Sequence, residues 1–216
     1  RAVALCVPAS PVGVLLAPAE IRWLAAQIAP ALLVLDQSFL ALSTRHDDLR
    51  TALPDNVIAV RSLTKEHAIP GVRVGYLVAE PALAARIAAA RPAWTVGSAA
   101  QAAVVAAVAA DDFVATTRAR LLADASLLTA RLRDAGYVVA PSQTPYFVVH
   151  VDDATRFRRE LLRAHGVLVR DCTSFGMPAW VRVAARGGEP ATRIVDGFAE
   201  LAPRFATRNV AMGAHA

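Results

Sequence analysis

Lysine is almost absent from this chain: of its 23 basic side chains all are arginine except one, Lys65. Cysteine is also scarce, and the two present, Cys6 and Cys172, cannot form a disulfide framework, so we expect the reducing cytoplasm as the compartment. No apolar run reaches the ~18 residues that a membrane span needs, so we expect no membrane partner. The histidines and cysteines lack the spacing of metal ligands, and we expect no metal site.

The composition that remains is that of a globular chain. Its 216 residues are 56% hydrophobic, and strand-like and helix-like patterns alternate along them, which indicates α/β layers. The net charge of +5 comes from arginines dispersed along helices rather than gathered in one tract. We therefore expect solvated helix faces and no nucleic-acid partner, although the positive field also favours phosphorylated substrates.

The pattern predicts two domains joined by a long helix. Residues 1–111 are predicted to be part of a large sheet domain, 112–135 the linking helix, and 136–216 a small carboxyl-terminal domain. The predicted strands lie near 2–7, 31–36, 56–61, 73–79, 137–140, 146–151, 166–170 and 180–185. Helices of the small domain are predicted near 154–165 and 190–202.

The single lysine lies in a connection between two predicted strands. Hydroxyls at Ser62 and Thr64 precede it, a Pro70–Gly71 turn follows it, and a guanidinium comes at Arg73. A lysine amine can act as a nucleophile, which a guanidinium cannot. An exposed loop lysine is the ordinary reading of such a residue, but this setting favours a site that binds an anion next to an amine.

The stretch S-x-x-K at 62–65, followed by G-x-R-x-G-Y at 71–76, resembles the cofactor-lysine motif of the class I and II aminotransferases, which are fold-type I pyridoxal-phosphate (PLP) enzymes. The resemblance implies a three-layer α/β large domain and a small α+β carboxyl-terminal domain. It also implies that PLP attaches covalently to Lys65, which later shuttles a proton. Ser62 and Arg73 would hold the cofactor phosphate.

Other positions follow the family's order. Asp36 ends an apolar strand and resembles the aspartate that pairs with the pyridine nitrogen, although a turn-capping role is the alternative from the residue alone. Arg182 resembles the arginine that grips the substrate carboxylate with its two-pronged guanidinium. Arg186 is a weaker candidate, for a second anionic group. Either arginine could instead be an exposed solubilising group.

Two positions depart from the family pattern. Segment 7–13 is similar to the family's N-P-x-N-P-T-G loop, but Ser10 stands where the second asparagine contacts the cofactor's 3′-oxygen. Phe39 replaces the tyrosine that reaches the same oxygen. Both changes are expected to weaken the polar contacts of that oxygen.

The resemblance begins well inside the family's length. It implies a preceding segment of the same gene product, continuous or held as a separate chain, that carries part of the phosphate site. It also implies a homodimer and a small phosphorylated substrate. The favoured function is an aminotransferase of histidinol-phosphate type. A threonine-phosphate decarboxylase-like enzyme of cobalamin biosynthesis and a non-catalytic aminotransferase-like domain are the alternatives.

Overall fold

The computed structural model describes residues 1–206, without the side chains of Leu49 and Asp111. These residues form two compact units. The first comprises Arg1–Ser10 and Val14–Ala119, and the second comprises Pro11–Gly13 and the chain from Arg120 onward. The last ten residues of the predicted small domain, 207–216, lie outside the described residues.

The first unit is built on a mixed four-stranded sheet in the order β1-β2-β3-β4. The first three strands are parallel, and β4 runs antiparallel to β3. Short 3-10 turns cover Leu40–Leu42 and His46–Arg50. The strands and helices are β1 Ala2–Cys6, α1 Pro18–Ile28, β2 Leu32–Asp36, β3 Val57–Ser62, α2 Leu63–Glu66, β4 Gly75–Val78, α3 Pro81–Ala90 and α4 Ser98–Val108.

The core of this unit lies between α1 and the parallel strands. Leu33, Leu35 and Val57 are fully buried beside Ile21 and Ala25 of α1. Apolar side chains at alternate positions of β2 face this core, as expected for a strand with a period of two. Pro18 opens α1, where its missing N–H costs nothing because no intrahelical partner exists there.

One polar side chain joins the end of α1 to the sheet. The Asn56 amide nitrogen Nδ2 donates to the carbonyls of Ala25 and Ala31, at 2.8 and 3.0 Å. These carbonyls lie near the carboxyl end of α1 and in the turn after it, where the backbone lacks regular partners. The contact therefore fixes the connection between α1 and β2.

The two apolar helices that follow β4 are much less buried. Within the described part of the chain, α3 and α4 contain no buried residue, and Val105 and Val108 of α4 are exposed. Trp94, in the connection between these helices, is 96% exposed.

A 24-residue helix, α5 (Asp111–Asp134), carries the chain from the first unit into the second. The division between the units falls inside it, after Ala119. Over residues 1–206 no single helix is long and apolar enough to cross a membrane, although α4 and residues 112–134, bent by 75°, reach that length and apolarity together.

The second unit packs helices against a three-stranded antiparallel sheet in the order β5-β7-β6. Its core centres on Phe157 and Phe198, whose rings lie 4.7 Å apart. Tyr137 packs edge-on against Phe198 and donates its hydroxyl to the Phe198 carbonyl at 2.8 Å. The elements are β5 Tyr146–His150, α6 Ala154–His165, β6 Arg170–Asp171, β7 Trp180–Ala184 and α7 Gly188–Phe205.

Two local predictions need correction. No regular strand forms at 137–140: Val139 makes an isolated bridge to Val149, and Pro141, which lacks an N–H, follows at once. Of the strand predicted at 166–170 only Arg170 pairs, as part of β6 (Arg170–Asp171), because Gly166 ends α6 in a left-handed conformation and pairing with β7 begins four residues later. Lys65 lies in the predicted connection between β3 and β4, on the one-turn helix α2.

Candidate active site

The parallel strands of the first unit end side by side. Cys6, Asp36 and Val60 are neighbours across β1, β2 and β3. Two more hydrogen bonds extend the pairing, from Val7 N to the Asp36 carbonyl at 2.9 Å and from Gln37 N to the Val60 carbonyl at 2.8 Å. Because the carboxyl ends of parallel strands share one edge of a sheet, the segments that carry Ser10, Asp36 and Lys65 all leave from that edge.

Asp36 presents an exposed carboxylate at this edge. Its Oδ1 accepts a hydrogen bond from Ser38 N at 2.9 Å, which orients the carboxylate within the turn that follows β2. Burial and the Asp36 carboxylate together raise the pKa of the neighbouring Cys6 thiol. The thiol is therefore held in its protonated form.

Lys65 lies one turn beyond the end of β3. Its Nζ donates to Ser62 Oγ at 3.3 Å, and Ser62 Oγ also lies 2.6 Å from Thr64 Oγ1. Ser62 occupies the position before α2 at which a serine often caps a helix, but its hydroxyl makes no capping bond and contacts Lys65 and Thr64 instead. The Nζ also lies 5.9 Å from the centre of the Phe39 ring. An amine, two hydroxyls and an aromatic ring are thus brought together.

Arg73 reaches the same sheet edge from the antiparallel strand. It precedes β4 by two residues, and Gly75, the first residue of β4, pairs with Ser62. A Cβ at Gly75 would lie 2.5 Å from the Arg61 carbonyl oxygen, so only glycine permits β4 to approach β3 this closely. Arg73 adopts a left-handed conformation with φ of 55° and donates from Nη1 to the Pro70 carbonyl at 3.0 Å. Such backbone conformations in non-glycine residues are concentrated at functional sites.

Ser10 lies in the loop that follows β1. The loop is closed by a hydrogen bond from Ala9 N to the Val14 carbonyl at 2.7 Å. Gly13 has a φ of 79°, and a Cβ there would lie 2.0 Å from Ser142 Oγ, so this position also requires glycine. The close packing of Gly13 on Ser142 assigns Pro11–Gly13 to the second unit, directly after Ser10 in the chain.

The second unit has an arginine-lined cavity of about 810 Å³, and Arg182 is one of its lining residues. Arg170 lies directly opposite Arg182 on the neighbouring strand, and Arg158 also lines the cavity. The Arg182 guanidinium stacks over the Tyr146 ring at 5.3 Å, and that of Arg170 stacks over Phe175 at 5.4 Å. Like charges directly opposite each other on paired strands repel, and an anion between them removes that repulsion.

A carboxylate at the rim of this cavity is held in its charged form. Burial tends to raise the pKa of Asp171, but hydrogen bonds from Thr155 and Thr173 outweigh it and hold that pKa below its ordinary value. Thr155 Oγ1 donates to Asp171 Oδ2 at 2.6 Å, and Thr173 N donates to Oδ1 at 2.8 Å. Asp171 therefore balances part of the positive charge and fixes the strand that carries Arg170.

Arg186 does not join Arg182. It lines an adjoining cavity of about 390 Å³, together with Glu189 and Arg193. Its Nη1 donates to the adjacent Ala185 carbonyl at 3.0 Å. Over the described residues, no group of three histidine, cysteine or acidic side chains is arranged to hold a metal ion.

The sequence reasoning missed two features of these sites. One is Arg170, which no motif singles out. The glycine at 176 lies between two apolar runs and is the signal for a turn that lets the strands carrying Arg170 and Arg182 pair. The hydrogen bond from Arg61 Nε to Gln37 Oε1, at 2.9 Å, joins residues that are 24 positions apart. No local pattern predicts such a contact.

Known proteins are similar to this chain in sequence. The profile of the family described as aminotransferase class I and II matches residues 1–193. A histidinol-phosphate aminotransferase of Symbiobacterium thermophilum is 32% identical over 200 residues, which are 90% of this chain and 55% of that protein. The chain thus spans about half the length of the curated relatives it matches.

Solved structures have the same fold. L-threonine-O-3-phosphate decarboxylase from Porphyromonas gingivalis has a TM-score of 0.75 and 25% identity, and the similarity covers 94% of this chain and 65% of that one. Histidinol-phosphate aminotransferase from Sinorhizobium meliloti, in complex with pyridoxal-5′-phosphate, has a TM-score of 0.77 and 24% identity, covering 93% of this chain and 56% of that one. The chain belongs to the class I and II aminotransferase family.

Proposed function

We propose that this chain is part of a PLP-dependent aminotransferase of histidinol-phosphate type, which acts on a small phosphorylated amine or amino acid. The observation that carries the proposal is the position of the single lysine. Lys65 Nζ contacts Ser62 Oγ at 3.3 Å, at the sheet edge where the carboxylate of Asp36 also lies. The family match over residues 1–193 and the identity to the S. thermophilum enzyme support the same function.

The donor groups at this edge fit PLP. Lys65 supplies an amine for the aldehyde, and Asp36 supplies an exposed carboxylate for the pyridine nitrogen. Ser62, Thr64 and Arg73 offer two hydroxyls and a guanidinium for the phosphate. When bound, PLP supplies a ring that accepts electrons from the substrate carbon.

The residues of this chain would divide the remaining work. Lys65 would hold the cofactor and would move a proton at the substrate carbon next to the amine. The Asp36 carboxylate would favour a proton on the ring nitrogen by its negative charge. Ser10 offers one hydroxyl near the cofactor's 3′-oxygen, while Phe39 offers only a ring face, so this oxygen receives fewer hydrogen bonds than a tyrosine and an asparagine would give.

The cavity of the second unit would hold the anionic part of the substrate. Arg182 binds a carboxylate with two parallel hydrogen bonds, and Tyr146 supports its guanidinium from below. We assign the second anionic group to Arg170 rather than Arg186, since Arg170 shares the cavity of Arg182. Phosphate and carboxylate fit a cavity lined by three guanidinium groups.

The reaction type is tested by product analysis of the full-length enzyme. Incubation with histidinol phosphate and 2-oxoglutarate should yield glutamate. Incubation with threonine phosphate should release carbon dioxide if the alternative, a threonine-phosphate decarboxylase-like enzyme, is correct. The P. gingivalis structure supports that alternative. If neither substrate were consumed, the result would favour a non-catalytic aminotransferase-like domain.

We further propose that the complete protein is a cytoplasmic homodimer. The unburied apolar helices α3 and α4 and the exposed Trp94 support a partner surface on the first unit. The free cysteines Cys6 and Cys172 support a reducing compartment. Sedimentation of the full-length protein should give the mass of two copies, and a monomer at micromolar concentration would contradict this part of the proposal.

A further inference from the structure

Arg61 links the strand that leads to Lys65 with the turn that follows Asp36. It is on β3, one residue before Ser62, and its side chain is half-buried. Its Nε donates to Gln37 Oε1 at 2.9 Å. Gln37 directly follows Asp36, so this bond joins the lysine strand to the turn that orients the carboxylate.

Gln37 is buried, and both its backbone and its side chain make hydrogen bonds. It is only 4% exposed, its N–H donates to Val60, and its carbonyl accepts from Leu40 N at 3.0 Å. A side chain buried this deeply requires a hydrogen-bond partner, because an unpaired buried polar group is costly. The bond to Arg61 therefore fixes the Gln37 side chain, and the backbone bonds transmit that position to Asp36.

Arg61 also acts on the residue that follows Lys65. Burial raises the pKa of the Glu66 carboxyl, and the positive charge of Arg61 opposes that rise. The backbone of Arg61 is fixed as well, since Gly75 of β4 passes against its carbonyl oxygen.

We propose that Arg61 is a positioning residue: by holding Gln37 it fixes the turn that carries Asp36 against the strand that leads to Lys65, and so sets the separation of Asp36 and Lys65. The proposal rests on the proposed function, because only a cofactor that bridges the carboxylate and the amine makes their separation important. Arg61 itself need not touch the cofactor.

The test uses the full-length enzyme loaded with pyridoxal 5′-phosphate and compares four variants. Arg61→Gln removes the guanidinium, and Gln37→Leu removes its acceptor. Gln37→Glu keeps an acceptor oxygen for Arg61 and should restore the arrangement. Arg86→Gln removes an exposed arginine of α3 in the same unit and is the matched control.

Two measurements separate positioning from general destabilisation. One is the dissociation constant of the cofactor, and the other is the pH midpoint at which the visible absorbance of the bound cofactor changes. Arg61→Gln and Gln37→Leu should each raise the dissociation constant about tenfold, as for one lost hydrogen bond to a charged group, and shift the midpoint. Gln37→Glu and Arg86→Gln should stay within about twofold of the unmodified enzyme and keep its midpoint.

The double variant tests whether Arg61 and Gln37 act through the same contact. If Arg61 acts through Gln37, combining Arg61→Gln with Gln37→Leu should cost little more than either change alone. Additive losses would overturn the proposal, as would an Arg61→Gln enzyme that behaves like Arg86→Gln. Failure of the proposed function is distinguishable, since the unmodified enzyme would then show no visible cofactor band.

Discussion

The two units of the chain differ in how completely they bury their own apolar side chains. Among the described residues, twenty buried residues form one cluster in the second unit, centred on Phe157 and Phe198. The corresponding cluster of the first unit contains eight, and its helices α3 and α4 contribute none. The second unit therefore has a core of its own, whereas the first unit leaves the apolar helices α3 and α4 exposed.

This contrast matches the division of chemical roles. The first unit carries the proposed cofactor residues at an open sheet edge, and the second unit carries an arginine-lined cavity on a well-packed sheet. Rigid support suits the guanidinium groups, because two like charges on paired strands must be held in place against their repulsion.

The largest effect is expected from opening the core of the second unit. Phe198→Ala should lower the free energy of unfolding by about 3–5 kcal/mol, because a fully buried ring is lost and a cavity remains. Val105→Ala, at an exposed position of α4, should change it by no more than about 0.5 kcal/mol. Hydrogen exchange of the β5 and β7 amides in the full-length protein measures the difference. Similar losses in both variants would contradict the contrast between the units.

A smaller effect is expected within the arginine-lined cavity. Arg182→Lys keeps the charge but loses the paired hydrogen bonds and the stacking on Tyr146, so binding of glutamate should weaken by about 1.5–3 kcal/mol. Arg186→Lys, in the adjoining cavity that does not include Arg182, is the matched control and should leave glutamate binding nearly unchanged. The Michaelis constants for glutamate compare the two. Equal weakening would remove Arg182 from the proposed role.

A single buried hydrogen bond gives a still smaller effect. Tyr137→Phe keeps the ring contacts with Phe157 and Phe198 but loses the hydroxyl that donates to the Phe198 carbonyl. The free energy of unfolding should fall by about 0.5–1.5 kcal/mol. Denaturant titration followed by fluorescence is suitable. A loss as large as that of Phe198→Ala would mean that the hydroxyl, rather than ring packing, dominates this core.

The smallest effects are shifts with pH, and they have opposite signs in the two units. Burial raises the pKa of Glu66 above 4.5, so its contribution to stability is complete below 4.5 and is lost as the pH rises through the raised pKa. The hydrogen bond from Arg156 lowers the pKa of Glu160 below 4.5, so its contribution is present above 4.5 and is lost as the pH falls through the lowered pKa.

Glutamine substitutions measure these two contributions. Glu66→Gln should improve relative stability as the pH rises above 4.5, whereas Glu160→Gln should reduce it over the same range. Unfolding titrations at a series of pH values give the slopes. The same slope for both variants would show that burial and ion pairing do not distinguish these carboxyls.

Local patterns were sufficient where one short segment determines the structure. The prediction of α6 at 154–165 agrees with the structure at both ends, because Asp153 caps the helix and Gly166 terminates it. The class I and II family followed from the lysine motif, and the family match confirms it. The strand predicted at 137–140 was wrong, because Pro141 limits the segment to an isolated bridge.

Contacts between distant segments explain the rest. The pairing of β6 with β7 places Arg170 opposite Arg182 in the cavity. The pairing of β2 with β3 brings Arg61 within hydrogen-bond distance of Gln37. Charge and periodicity do not encode these partners, because both depend on strand register. The roles of Ser10, Asp36, Phe39, Ser62, Lys65, Arg73, Arg182 and Arg186 stay predictions that experiments must test.

The most direct test of the central claim is reductive trapping of the cofactor. Full-length enzyme loaded with pyridoxal 5′-phosphate is treated with borohydride, digested and analysed by mass spectrometry. Within these 216 residues the pyridoxyl group should be attached at Lys65, the only lysine, and Lys65→Ala should lose both the label and the visible absorbance of the bound cofactor. A Lys65→Ala enzyme that keeps that absorbance and full turnover would contradict the account.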